Sequence, residues 1–166
     1  MSTVTLKGNE IKVADGFPAV GDPARPLKLV AADLSEVSLE DYLGKKIVLN
    51  IFPSIDTGVC ALQLKTFSKQ IGNMEDVVLL TASMDLPFAL KRFCGAEKIK
   101  NAVTASDFRH RSLANGYGVE ILDGPLAGLY ARAVIVINEY GHVAHAELVA
   151  EIAQEPDYEA ALAALK

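Results

Sequence analysis

At 166 residues, with 51% apolar and 22% charged side chains, the chain has the make-up of one globular domain able to bury a core without disulfide staples. Its formal charge of −5 and its scattered Lys and Arg exclude the clustered basic surface that nucleic-acid phosphates require. Two cysteines are too few for a secreted disulfide framework, the opening MSTVTLKGNEIKV lacks the apolar core of a signal peptide, and no run reaches the length of a membrane span, so a cytoplasmic protein without a membrane partner is expected.

Val4 to Leu6 and Ile11 to Val13 flank a Gly8-Asn9 turn and read as an N-terminal hairpin, so residues 1–15 are expected to extend a single domain spanning 1–166. Gly16 to Pro26, with three prolines and two glycines, reads as an extended crossing loop. Leu27 to Ala31 predicts a strand, and Ser35 a cap for a short turn near Leu39 to Leu43. Ile47 to Phe52 is a β-branched apolar run ended by Pro53, and Val59 to Met74 carries apolar residues at helical spacing. Val77 to Ser83 predicts a second buried strand, and Pro87 opens a second helix through Phe93. Strand, helix, strand, helix implies parallel pairing. Val103 to Ala105 reads as a short edge strand, Arg109 to Tyr117 as a short helix, and Asp123-Gly124-Pro125 as a turn. Ala133 to Ile137 predicts a central strand with an antiparallel partner from Val143 to Val149 across the Asn138 to Gly141 turn, and Pro156 to Leu165 a closing helix. The order is that of an α/β thioredoxin-like sandwich, a central mixed β-sheet flanked by helices.

Within this order one cysteine stands out. Asp56, Thr57 and Gly58 supply capping and turn chemistry after Pro53, so Cys60 falls in the first turn of a helix that follows a buried strand. Unpaired N–H groups and the positive end of the helix dipole favour an anion there, and the thiolate is the nucleophilic form of sulfur. Thr57, three residues earlier, can set its hydroxyl beside the sulfur on the same face, with the N–H of Val59 or Cys60 aimed at the same point. By composition alone two cytosolic cysteines are more often inert core residues; the placement of Cys60 argues for reactivity.

Pro53, Thr57 and Cys60 reproduce the pattern Pro-x-x-x-Thr-x-x-Cys, and at this point the chain resembles the peroxiredoxins. The blocks FPSIDTGVC, SMDLPFALKRFCGAE, DGPLAGLYARAV and EPDYEAALAAL, in that order, are similar to the bacterial thiol peroxidase subfamily, an atypical two-cysteine group, over nearly the whole chain. The resemblance implies a peroxidatic Cys60, Arg132 as the active-site arginine, and Cys94 as the resolving thiol of an intramolecular disulfide. It further implies hydrogen peroxide as substrate, thioredoxin as reductant, antioxidant defence as the role, and a homodimer; Ile51, Phe52, Ile55 and Val59 around the motif suggest apolar walls that would admit organic hydroperoxides too, although such side chains are more often core than pocket. Pro53 would shield the sulfur from water. Two cysteines on separate helices rarely meet the reach of a disulfide, so local unwinding around Cys60, Cys94 or both is expected during turnover.

Other readings are weaker. A local dithiol enzyme would need Cys where Gln63 stands, and a chain without Trp lacks one partner of the glutathione peroxidases. His142 and His145, an odd number apart in a predicted strand, should face opposite sides, and no zinc spacing includes a cysteine, so neither a metal nor another cofactor is expected. Without the resemblance, Arg132 would read as a surface arginine. A peroxide sensor that records one oxidation without turnover is the alternative to an enzyme.

Overall fold

The computed structural model describes residues 2–71 and 73–166. Two strands, β1 (Ser2–Leu6) and β2 (Asn9–Val13), form the N-terminal hairpin. Its turn is Lys7-Gly8, not Gly8-Asn9: both residues take positive φ, 51° and 84°, the two-residue geometry that matches the twist of a hairpin. The hairpin packs Val4, Ile11 and Val13 on Ile121, Ala131 and Ile152, and β1 continues into the body through bonds from Thr5 N to Ala150 O and from Ile152 N to Thr5 O, both 2.8 Å.

The main sheet has seven strands: β3 (Lys28–Ala31), β4 (Glu36–Ser38), β5 (Lys46–Ile51), β6 (Val77–Ser83), β7 (Val103–Ser106), β8 (Ala133–Ile137) and β9 (Val143–Leu148). Their order is β4-β3-β7-β6-β5-β8-β9. The expected parallel pairing appears as β5 with β6 and β6 with β7; the other neighbours are antiparallel, which makes the sheet mixed. Two expectations are corrected. Val103–Ser106 is not an edge, because β3 pairs antiparallel on its far side and Thr104 to Ser106 are buried. The edge there is β4, whose three residues are too few to show alternation. Ser35 caps nothing: its hydroxyl donates to the Asp33 carboxylate, while Asp41 accepts from Ser38 N–H at 2.9 Å to start the 3-10 turn Leu39–Tyr42.

Helices α1 (Gly58–Ile71), α2 (Pro87–Ala96) and α4 (Tyr158–Ala163) pack on one face of the sheet, against Val48, Phe52, Val134 and Val136. The other face, with Ile47, Leu49, Ile51, Ile135 and Ile137, is covered by α3 (Ser112–Gly116) and the chain around Tyr117 and Tyr130. The alternation along β5 and β8 assigns Asn50 and Arg132 to the α1 side. Helix α1 stops at Ile71, short of the expected Met74, and Gly72 lies outside the described residues. Helix α3 is shorter than Arg109 to Tyr117 because Arg111 is left-handed at φ 51° and the Asp107 carboxylate accepts the Ser112 and Leu113 N–H groups, each at 2.8 Å. Helix α4 is likewise shorter than its expected span, its first turn capped by Asp157. The antiparallel partner ends at Leu148 rather than Val149.

Candidate active site

Strand β5 ends because Pro53 has no N–H to continue the ladder. Phe52, Pro53 and Ile55 are buried, and a turn closed by Thr57 N–H to Ser54 O at 3.2 Å carries the chain into α1. Cys60, the third residue of that helix, is fully buried among Leu64, Phe67 and the sheet.

Arg132, immediately before β8, is only 2% exposed. Its Nη1 donates to Cys60 Sγ at 3.4 Å and to Gln63 Oε1 at 2.7 Å, and its Nε donates to Ile152 O at 2.8 Å. Gln63 then donates through Nε2 to Asn50 Oδ1, and Asn50 through Nδ2 to Thr81 Oγ1 at 3.2 Å. Asn50, Gln63 and Thr81 are all fully buried. A charged guanidinium excluded from water is costly unless its donors are matched. Here Gln63, Ile152 and the sulfur accept from it, so its position is over-determined. Gln63 and Asn50 were missed as site residues in the sequence, yet each carries a signal: a polar residue on the apolar face of an amphipathic helix, and an Asn inside the run Ile47 to Phe52.

A cleft of about 450 Å³ is walled by Pro53, Thr57, Val59, Leu129, Arg132 and Ile152 and by Leu6 and Lys7 of the hairpin; Cys60 does not line it, and Arg132 is the wall residue that bonds the sulfur. The walls are mostly apolar. Pro53, Thr57 and Arg132 therefore surround one space, and Cys60, fully buried, adjoins it through Arg132. Thr57 differs from its expected contact: its hydroxyl donates to Ser54 O at 3.1 Å, which holds the turn, and the side-chain donor seen at the sulfur is Arg132.

Cys94 stands apart. It sits in the last turn of α2, half-buried, packed on the apolar layer that includes Cys60 but lining a different cleft with Tyr42, Lys91 and Thr104. Burial pushes its thiol pKa up, against a smaller lowering by a hydrogen bond with Thr104. Both cysteines are free thiols, and each lies within an intact helix.

Among the described residues no group of three or more His, Cys, Asp or Glu is placed to hold a metal ion, and no helix is long and apolar enough to cross a membrane.

The Redoxin family model matches residues 12–162 of the chain. A thiol peroxidase of Mycobacterium bovis is 52% identical over 165 residues, covering 99% of both chains. Among solved structures, a peroxiredoxin-like protein from Aquifex aeolicus superposes with a TM-score of 0.92 at 40% identity, over 99% of this chain and 96% of that one. A thiol peroxidase from Chromobacterium violaceum shares the fold at a TM-score of 0.90 and 23% identity, over 98% and 94% of the two chains.

Proposed function

The chain belongs to the Redoxin family, with the thioredoxin-like fold and the oxidoreductase chemistry of the bacterial thiol peroxidases, and on that premise we propose how its residues carry the reaction. Cys60 is the peroxidatic nucleophile. Its thiolate attacks the near oxygen of a hydroperoxide; the S–O bond forms, the O–O bond breaks, and the leaving alkoxide takes up a proton to give an alcohol, or water from hydrogen peroxide. Cys60 is left as a sulfenic acid. The observation that carries this reading is the Arg132 guanidinium, fixed 3.4 Å from the sulfur and lining a cleft. A donor held in place before reaction stabilises charge moving from sulfur to oxygen without reorganising, and removing such a donor costs roughly 2.7 to 4 kcal/mol.

Pro53 keeps water from the sulfur, and Thr57 shapes the turn above it. The apolar walls suit organic hydroperoxides as well as hydrogen peroxide. Cys94 then resolves the sulfenic acid: its sulfur bonds to that of Cys60, the S–O bond breaks, and hydroxide leaves as water with the proton that Cys94 gives up. A thioredoxin-type dithiol reopens the disulfide by exchange and is itself oxidised.

Resolution requires the two helices to open. Gly58 begins α1 and Gly95 adjoins Cys94, yet a Cβ at either would meet nothing within 4 Å. Packing therefore does not demand glycine at these positions. Lower helix propensity, about 1 kcal/mol relative to Ala in a helix interior, is what glycine contributes beside Cys94. In this reading residues 1–166 act as one cytoplasmic domain that pairs with a second copy, and Leu86 and Phe88, exposed around the start of α2, are side chains such a contact would cover.

The test is to reduce the protein, add one equivalent of hydrogen peroxide and map the peptides by non-reducing mass spectrometry. A rapid Cys60 to Cys94 crosslink, lost in both Cys60→Ser and Cys94→Ser, is expected; Cys94→Ser should still consume one equivalent of peroxide. Thiols that stay unreacted in the wild-type protein would refute the assignment.

A further inference from the structure

Asp85 is bonded neither to Cys60 nor to Arg132, yet its carboxylate ties together the two segments that carry the cysteines. It follows β6 and precedes Pro87, the first residue of α2, and is half-buried. One carboxylate oxygen accepts the Ser54 hydroxyl at 2.7 Å; the other accepts the Ile55 N–H at 2.7 Å and the Ser83 hydroxyl at 2.6 Å. Ser54 passes the restraint on, because its hydroxyl oxygen accepts the Asp56 N–H at 3.2 Å and its carbonyl accepts the Thr57 hydroxyl at 3.1 Å. A second strut runs from Arg92 Nη2 on α2 to Asp56 Oδ1 at 3.0 Å. Both members of that pair are largely exposed, so it adds little on its own. Hydrogen bonds to a charged acceptor are stronger than neutral ones, and Asp85 makes three from side chains and the turn.

We propose that Asp85 is a positioning residue: it latches the turn 53–57 to the start of α2 in the form that presents Cys60 to peroxide, and its release governs whether oxidised Cys60 is resolved or oxidised again. The inference rests on the two-cysteine reading above. The sulfenic acid has two fates. With the turn latched it stays in the cleft, where its sulfur attacks a second hydroperoxide, forming another S–O bond, breaking the O–O bond and giving sulfinic acid plus alcohol. With the turn released it meets Cys94, and a disulfide and water result. A stronger latch favours the first oxidation and the over-oxidation; a weaker one favours resolution. A residue that merely supports the fold would slow both oxidations without speeding the conversion of sulfenic acid to disulfide, which stopped-flow mixing follows.

The experiment compares wild-type protein with Asp85→Ala, Asp85→Asn and Ser54→Ala under a series of hydrogen peroxide concentrations. Stopped-flow mixing gives the rate of the first oxidation, intact mass the division between disulfide and sulfinic acid, and thermal melting confirms folding. For Asp85→Ala the first oxidation should slow about tenfold while the peroxide needed to drive half of Cys60 to sulfinic acid rises about tenfold, as expected for loss of more than one charge-assisted bond. Asp85→Asn, which keeps an acceptor for Ile55, should fall between it and wild type. Ser54→Ala removes the bond to Asp85 together with the one the hydroxyl accepts from Asp56 N–H and leaves the carboxylate in place, so it reports on the latch even if Asp85→Ala does not fold; it should shift both quantities in the same directions, by a few-fold. Folded variants whose two quantities match wild type within about twofold would overturn the latch. Wild-type protein that forms no Cys60 to Cys94 disulfide overturns the two-cysteine reading itself, and the latch with it.

Discussion

Replacing Arg132 by Met separates the catalytic from the structural work of a buried cation. The substitution keeps an unbranched stem of similar reach in a site that is 2% exposed, and removes three bonds: to Cys60 Sγ at 3.4 Å, to Gln63 Oε1 at 2.7 Å and to Ile152 O at 2.8 Å. Two buried oxygens lose their donor, at about 1–3 kcal/mol each. Against this stands the desolvation of the guanidinium, several kcal/mol, which Met does not incur. The two terms are of similar size, so net stability should change by no more than about 2 kcal/mol, or roughly 4–8 °C in Tm. Activity has no such offset. Loss of the fixed donor at the reacting sulfur should lower kcat/KM for hydrogen peroxide by about 10² to 10³, measured with excess reducing thiol. Arg132→Lys should recover little, because one ammonium cannot reproduce the fork that spans Gln63, Ile152 and Cys60. Gln63→Met leaves the Arg132 bonds to sulfur and Ile152 but frees its orientation, and should cost less activity than Arg132→Met. A loss below about tenfold in a folded Arg132→Met protein would refute the electrostatic role.

Two further outcomes concern pH. Backbone donors at Ala153 and Gly8 hold the Glu151 carboxyl well below its ordinary value, at about 2. A depressed carboxyl supplies stability above its unfolded pKa and loses it as pH falls through the folded one, so the hairpin should loosen progressively between about pH 4.5 and 2; amide exchange at Thr5 and Ile152 reports it, and unchanged protection across that range would refute the contact. The Cys94 thiol, raised mainly by burial, works in the opposite sense: its contribution is complete below the unfolded pKa and fades as pH rises through the higher folded value. Alkaline solution should therefore open the end of α2, lowering protection at Glu97 and Ile99, whose N–H groups bond Phe93 O and Cys94 O, each at 2.9 Å. Cys94→Ser should abolish that pH dependence, and its persistence there would sink the explanation.

The elements that deliver Cys60 are legible in the sequence because each is written locally: a β-branched run, a proline that ends it, a polar turn, then helical spacing. Strands β6 and β8 are readable for the same reason, apolar runs with clear ends. The position of β7 inside the sheet is not, since strand order depends on which edges meet in space and β4 is three residues long. Arg132 required the likeness to a family, because a residue just before a strand shows nothing of its burial. Gln63 and Asn50 lay within reach: two amides on faces that ought to be apolar ask for partners, and they are linked to each other. Asp85 gave no such signal, as an acidic residue ahead of a helix-opening proline reads as ordinary turn chemistry until its bonds to Ser54 and Ile55 are seen.

The borders of the seven-stranded sheet bear on how copies of the chain could meet. One border, β4, offers three residues of ladder; at the other, the loop at Gly21 and Asp22 already occupies the outer side of Val143 through bonds of 2.8 Å, and the pairing of β9 with β8 shifts register at Val136 and Ile137. Neither border presents a long flat row of unpaired amides. Growth of the sheet from molecule to molecule by strand addition is thus discouraged at both ends, which leaves side-chain surfaces, not exposed ladders, as the faces the sheet offers to a second copy.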